Sequence, residues 1–437
     1  MTERDRMRAK VRATAAELKS DPYRYFPEWY RRTRPSDLSK RPIFLAGPWG
    51  GWGDARARAA RGEIDVRGVT EWIPEFLLAS VLWRLAPKLR KLPAMIRPGP
   101  AAYAAIERLV LKGLGIGAAL RGGAPPILSV DDWVHRAKAT PGSLSLIPEE
   151  SEHARKFERI ARENGLDALY LTEAMRLPEF ASWNRGPYND ALGDTAARIE
   201  EFLALEDVFA DDESVQVLHR TLLYKMTHHH VELEPIVQAG CRKYFPAELL
   251  HLRSDERFID VGGFIGDSIQ QFFNVTGGRF RQVISLEPDD HNYLFLEKYR
   301  ASLSAEDAAR VVCLKVGAWN EKTRLTFHAT GTGGSNIDAT NTAANVGSID
   351  VTTLDALADE YGPPTLIKCE AEGSDREALI GCARTMATHR PRMAITVYHL
   401  WDDYLALVPL VRGPNPDYKL ALRHYSLDHS GTTMYAY

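Results

Sequence analysis

Cysteine is scarce in this chain. Its four residues, Cys241, Cys313, Cys369 and Cys382, form no C-x-x-C pair. They read as free thiols in a reducing compartment, with one bridge left open by the sequence. Long apolar runs are also lacking. The most apolar early stretch, residues 76–87, is broken by Arg84 and Pro87 and is too short to span a bilayer. It reads as a buried or partner-facing helix. Residues 1–6 are charged and lack the apolar centre of a signal peptide. A cytoplasmic protein without stable membrane insertion is therefore expected. Charge of one sign is not in excess: Lys and Arg total 55, Asp and Glu 58, and the net charge is −3. That balance leaves no electrostatic footprint for nucleic acid. No short-period repeat and no low-complexity segment occur.

What the chain does have is Phe258-Ile-Asp-Val-Gly-Gly-Phe-Ile-Gly266, followed by Ile284-Ser-Leu-Glu-Pro288. This reads as a buried strand, a glycine turn, a helix, and a second strand ending in an acid. An acid at that place can accept both ribose hydroxyls of a nucleoside, and glycines let backbone approach the ligand. Gly262, Gly263 and Gly266 do not fit G-x-G-x-x-G, the fingerprint built around a pyrophosphate. Asp260 before the turn would repel a pyrophosphate but suits a cationic ligand end. The combination favours S-adenosylmethionine, with its ammonium and sulfonium, over a nicotinamide dinucleotide.

A length of 437 residues suggests two or three domains. Residues 1–40 read as a helical arm rich in Arg and aromatics. Residues 41–175 read as a small, degenerate α/β domain. Its strands are Ile43–Ala46, Ser143–Ile147 and Ala168–Leu171. A glycine loop over 47–53, a helix over 54–60, a helical insertion near 70–120 and an amphipathic helix over 150–164 complete it. A turn-rich linker and a helical region fill 176–243. The second α/β domain spans 244–437. Its central strands start at Arg257, Val283, Val311, Thr365 and Met393, and Arg324–His328 looks like a hairpin arm. A late hairpin of Tyr418–His424 with Thr432–Tyr437 fits a class I methyltransferase architecture, a Rossmann-like sheet closed by an antiparallel pair.

The segments Phe209–Ser214, Tyr244–Pro246, Asp260–Asp267, Glu287–Pro288, Val351–Asp355, Ile367-Lys-Cys-Glu-Ala-Glu-Gly373, Tyr398–His399 and Leu422–Tyr425 occur in that order. As an ordered set they resemble the FkbM-type methyltransferases over about residues 205–437. The Ile367–Gly373 segment is the most specific of them. The resemblance implies S-adenosylmethionine-dependent O-methylation, often of a sugar or polyketide hydroxyl. Two positions depart from the family. Gly263 stands where Ala is common, read as a harmless loosening, and Glu370 stands where Asp is usual.

In such a sheet the ligand sits beyond the carboxyl ends of the strands. Asp260, Gly262, Gly263, Phe264, Gly266, Asp267 and Ser268 are expected to hold the methionine end. Glu287, with Pro288, is expected to take the ribose, and Gly317, Ala318 and Trp319 to border the adenine. A salt-bridged strand end or a helix cap is the plainer reading of Asp260 and Glu287. Glu370 and Glu372, two apart in an extended segment, would face one side. They could orient a hydroxyl, take its proton, or bind a divalent cation such as magnesium. His399, after the fifth strand, is the expected general base, ahead of His424. Three adjacent histidines, His228–His230, read as a helix end, since neighbours diverge too far to share one metal.

The expected reaction is methyl transfer to a hydroxyl of a small natural product or saccharide. The N-terminal domain can serve homo-oligomer formation. The alternatives are an NAD(P)-dependent oxidoreductase, opposed by the glycine spacing and Asp260, and a non-catalytic Rossmann-like scaffold, opposed by the retained acids.

Overall fold

A computed structural model describes residues 2–33, 38, 41–48, 65–72, 127–147, 152–174, 176–177, 180, 193–238, 243–328, 336–337, 346–427 and 429–437. The expected glycine loop beyond residue 48, the helix over 54–60, the apolar run over 76–87, the turn-rich stretch over 183–190 and the loop over 330–335 lie outside them. The chain divides into two compact units, one of Met1–Pro22 with Gly186–Tyr437, the other of Tyr23–Arg185.

The second unit contains a parallel sheet of five strands: β1 (Ile43–Pro48), β2 (Val66–Trp72), β3 (Ile127–Leu128), β4 (Leu144–Ile147) and β5 (Ala168–Tyr170). Their order is β3-β2-β1-β4-β5. The strand order reverses between β1 and β4, as in doubly wound folds. Helices Val130–Ala139 and Glu152–Glu163 bury Trp133, Ala154, Phe157 and Ala161 against Phe44 and Ile147. Gly165 lies beyond the second helix at φ +65°. One boundary differs from expectation. Residues 70–72, placed in a helical insertion, complete β2. They continue the strand that begins at Val66 and pair in register with β1.

In the first unit seven strands form one sheet: β6 (Arg257–Val261), β7 (Gln282–Leu286), β8 (Val311–Leu314), β13 (Leu366–Cys369), β14 (Arg392–Thr396), β15 (Leu420–His424) and β16 (Thr432–Ala436). The order is β15-β16-β14-β13-β6-β7-β8. The β8-β7-β6-β13-β14 run is parallel, and β16 lies antiparallel between β14 and β15. Strands β6, β7, β13 and β14 are buried along nearly their whole length and mostly apolar, as is usual in parallel sheets. Phe258, Phe272, Phe245 and Phe280 form one aromatic cluster in that core, with rings 4.7–5.5 Å apart. A smaller sheet contains β9 (Gly317–Ala318), β10 (Thr323–His328), β11 (Asn336–Ile337) and β12 (Val346–Thr352).

The helix Glu3–Ser20 belongs to this same unit. Thr2 caps it, and Val11, Thr14, Ala15 and Leu18 form its buried stripe. Arg4 and Arg8 both donate to the buried carboxylate of Glu206, at 2.8 and 2.9 Å, and Lys10 pairs with Glu232 at 2.6 Å. The arm expected over 1–40 is therefore divided at Pro22 between the two units. Among the described residues no helix is long and apolar enough to cross a membrane.

Candidate active site

The glycine turn joins β6 to the helix Asp267–Thr276. Its chain reversal requires positive φ at Gly262 (+80°), Phe264 (+44°) and Gly266 (+94°). Phe264 pays the steric cost that glycine avoids, so the turn is locally strained at that position. Gly262 and Gly263 donate backbone N–H bonds to the Leu286 carbonyl at 3.1 and 2.8 Å, which ties the turn to the end of β7. A Cβ on Gly263 would lie 2.1 Å from Ser285 Oγ. The expectation that this glycine merely loosens an alanine position is thus overturned. In this chain the Ser285 hydroxyl occupies the space.

The Asp260 side chain is turned inward. It is 0% exposed, and its Oδ2 accepts from Ser268 Oγ at 2.7 Å and Ser285 Oγ at 2.9 Å. Lys368 Nζ lies 3.3 Å from its other oxygen. The expected contact with a cationic ligand end is replaced by an internal ion pair, because an isolated buried carboxylate would be too costly to desolvate. Ser268 is committed to the same network. Asp267 is exposed and opens the helix whose first N–H groups lie beside the turn.

Glu287 stands one residue past β7 and is 5% exposed. Its Oε2 accepts the Phe264 N–H and its Oε1 the Asp289 N–H, each at 2.9 Å. Burial pushes its carboxyl up to about 7, against these two bonds, which favour the charged form. Pro288 is half-buried in the link to Asp289, which caps the helix Asp290–Ser302 through the His291 and Asn292 N–H groups.

Glu370 and Glu372 do not share one face. β13 ends at Cys369, and Glu372 has φ +46°, a turn conformation and not an extended one. Glu370 accepts from the hydroxyls of Tyr244 (2.6 Å) and Tyr398 (2.7 Å) and from Lys243 Nζ (3.1 Å), with Lys368 Nζ at 3.4 Å. Burial works against its charge, but Lys368 and Lys243 outweigh it and hold the carboxyl far below the usual range. Two ammonium groups beside Glu370 do not suit a divalent cation there. Among the described residues no three His, Cys, Asp or Glu side chains are grouped to hold a metal.

Glu372 instead faces a histidine. Its Oε1 lies 3.6 Å from His399 Nε2, while His399 Nδ1 lies 2.7 Å from Asp375 Oδ2. His399 is 0% exposed. Burial opposes its protonation, yet Asp375 and Glu372 together raise its pKa well above the ordinary range. A ring closed off from solvent, with both nitrogens turned toward carboxylates, does not reach a substrate hydroxyl directly, so its expected role as base is corrected. The side chain of Glu372 is 20% exposed and forms the open end of this array. Asp375 also accepts N–H bonds from Ala371 at 3.0 Å and Gly373 at 3.3 Å, which fold the Glu370–Gly373 turn around it.

Gly317 and Ala318 form β9, and Trp319 packs on Ile349 and Val351 while its backbone N–H donates to the Thr352 carbonyl at 2.8 Å. His424 is buried in β15, with Nδ1 2.9 Å from Thr432 Oγ1, and serves the closing hairpin. His228 forms the left-handed C-cap of the helix Asp212–Thr227. Sequence reasoning missed Lys368, Asp375, Lys243 and the two tyrosine hydroxyls. Lys368 carried one available signal: it is a lysine inside an otherwise apolar central strand.

A family model described as the methyltransferase FkbM domain matches residues 260–413. Among solved structures, a methyltransferase FkbM from Methylobacillus flagellatus KT is 24% identical, with all of both chains covered and a TM-score of 0.70. That likeness concerns the fold. A precorrin-6y C5,15-methyltransferase from Geobacter metallireducens GS-15 is 12% identical, covering 43% of this chain and 82% of its own, with a TM-score of 0.28. No curated protein matches the chain. A class I methyltransferase sheet carries the site, and residues 260–413 of the chain match the model of the FkbM methyltransferase domain.

Proposed function

We propose that this methyltransferase uses S-adenosylmethionine and transfers its methyl group to a hydroxyl of a small natural product or saccharide. The observation that carries the reading is Glu287. It stands beyond the carboxyl end of β7, and its two oxygens are aligned by one backbone N–H each. Each oxygen keeps acceptor capacity for one ribose hydroxyl. Gly262–Ser268 would border the methionine end through backbone groups, while the buried Asp260 does not fit the direct contact expected of it. The bound cofactor supplies a methyl group already activated on sulfonium.

The chain's own work is then alignment and disposal of one proton. Glu372 is the proton acceptor in this reading. Its carboxylate is partly open, and the His399 ring at 3.6 Å orients it. Asp375 in turn orients His399, so both act as positioning residues. No covalent intermediate is invoked. Burial pushes the Cys369 and Cys382 thiols up, away from nucleophilic thiolate. The domain match removes the support for a nicotinamide-dependent oxidoreductase, and a left-handed glutamate beside a buried imidazolium is not what a bare scaffold needs.

The test is incubation with isotope-labelled S-adenosylmethionine and a panel of hydroxylated glycosides and polyketides, read by mass spectrometry. Label on an oxygen of one acceptor supports the reading. Label on nitrogen or carbon overturns O-methylation. Absence of S-adenosylhomocysteine binding in calorimetry overturns the cofactor.

A further inference from the structure

A lysine in the middle of a central parallel strand is expensive to bury, and Lys368 is only 2% exposed. Its ammonium has four partners. Nζ donates to the carbonyls of Val261 at 3.1 Å and Gly262 at 2.5 Å, and lies 3.3 Å from Asp260 Oδ1 and 3.4 Å from Glu370 Oε2. The Tyr244 ring is 5.2 Å away on one side. Of the two carbonyl partners, one ends β6, the strand next to β13, and the other is in the first peptide of the glycine turn.

We propose that Lys368 is a positioning residue for cofactor binding: it fixes the Val261 and Gly262 carbonyls and draws Asp260 inward, so that the turn offers backbone groups and not a carboxylate to the ligand. This rests on the cofactor reading above only for its functional consequence.

Three observations converge on this role. The first is geometric. The Gly262 carbonyl turns toward Nζ at φ +80°, and a Cβ at residue 262 would lie 2.1 Å from the Glu370 carbonyl oxygen. The peptide therefore sits against β13 with no room to rotate. The second is the fate of Asp260. Its oxygens face Ser268, Ser285 and Lys368, all inside the protein. The third is the connection to Glu287. The strained Phe264 gives its N–H to that carboxylate two residues after Gly262. A turn that loses its lysine donor loses the peptide geometry that delivers this N–H. Lys368 thus acts on the ribose acid through four consecutive backbone units without touching a ligand.

Removing the lysine alone would strand a buried carboxylate and could unfold the protein. The informative variant is therefore Lys368→Met combined with Asp260→Asn, which removes both charges at nearly constant volume and keeps a polar partner for Ser268 and Ser285. Asp260→Asn alone is the companion. In the ligand-free proteins, amide hydrogen exchange is read over residues 262–268, and binding of S-adenosylhomocysteine is read by calorimetry. In the double variant we expect exchange of the turn to speed up by about tenfold or more, and affinity to fall by a similar factor, the effect of losing one or two hydrogen bonds. Asp260→Asn alone is expected to stay within about twofold of wild type, since its side chain faces inward. Unchanged turn protection in the double variant would overturn the proposal. So would Asp260→Asn reproducing the full loss of affinity, which would make Asp260 a ligand contact. If wild type failed to bind S-adenosylhomocysteine, the cofactor reading would fall, while the exchange measurement would still decide the role of Lys368.

Discussion

Glu372 Oε1 lies 3.6 Å from His399 Nε2, and the other nitrogen of that ring lies 2.7 Å from Asp375. Only the glutamate end of this line reaches solvent. Glu372→Gln is therefore expected to lower kcat by about 100-fold or more, the usual worth of a positioned base, with cofactor affinity unchanged. His399→Gln should lower kcat less and alter its pH profile, because it acts through Glu372. Steady-state rates over a pH series, paired with calorimetric Kd values, check both. Equal turnover in Glu372→Gln and wild type would remove the glutamate as proton acceptor.

The same imidazolium links folding to pH. The folded pKa of His399 is raised above its unfolded value of about 6.5. The stability it contributes is fully present below that unfolded value and is lost as pH rises through the folded one. The melting temperature of wild type relative to His399→Gln should therefore decline from pH 6.5 upward. Parallel melting curves at several pH values measure it, and a constant difference between the two proteins would contradict the shift.

Glu287 gives an opposite dependence in binding. Its carboxyl titrates at about 7, and only the charged form accepts two ribose hydroxyls. Affinity for S-adenosylhomocysteine should rise about tenfold between pH 6 and pH 8, the change in the ionised fraction across that interval. Glu287→Gln should bind weakly and without this dependence. Calorimetry at the two pH values decides it.

Gly263 and Ser285 are coupled through space. Gly263→Ala drives a methyl group to 2.1 Å from Ser285 Oγ, and overpacking of this kind costs about 1–3 kcal/mol. In a Ser285→Ala background the cost should shrink, since that oxygen is gone. A double-mutant cycle of denaturant unfolding measures the coupling, and strict additivity would show that the serine simply rotates away.

Glu370 is already held by Lys243, Lys368 and two tyrosine hydroxyls. Treatment with a strong chelator is accordingly expected to leave turnover unchanged. Loss of activity restored by added magnesium would place a cation at the site after all.

The fold was largely readable because parallel strands buried on both faces appear as short apolar runs between turn signals. Phe258–Val261, Val283–Leu286 and Met393–Thr396 are plain examples. Glu287 was readable for the same reason, since it marks the exact end of such a run. The array around Glu372 and His399 was not. Glu370 and Glu372 share a parity that predicts one face only if the strand continues, and the left-handed turn at Glu372 breaks it. The state of His399 depends on Asp375, 24 residues away, and on closure from solvent. The inward turn of Asp260 depends on Lys368, 108 positions later in the chain. Each of these is a non-local electrostatic choice, made by which charges the folded strands bring together and not by any local pattern.

The helix Glu3–Ser20 has a kinetic consequence. Its anchors, such as the Arg8–Glu206 pair, bridge 198 residues of sequence, and Lys10–Glu232 bridges 222. At synthesis rates of about 5–20 residues per second, this helix emerges from the ribosome about 10–40 s before its partners exist. During that interval the stripe of Val11, Ala15 and Leu18 has no mate, while a whole sheet is made between the two halves of the contact. Completion of the methyltransferase unit is thus a late, long-range event in the birth of the chain.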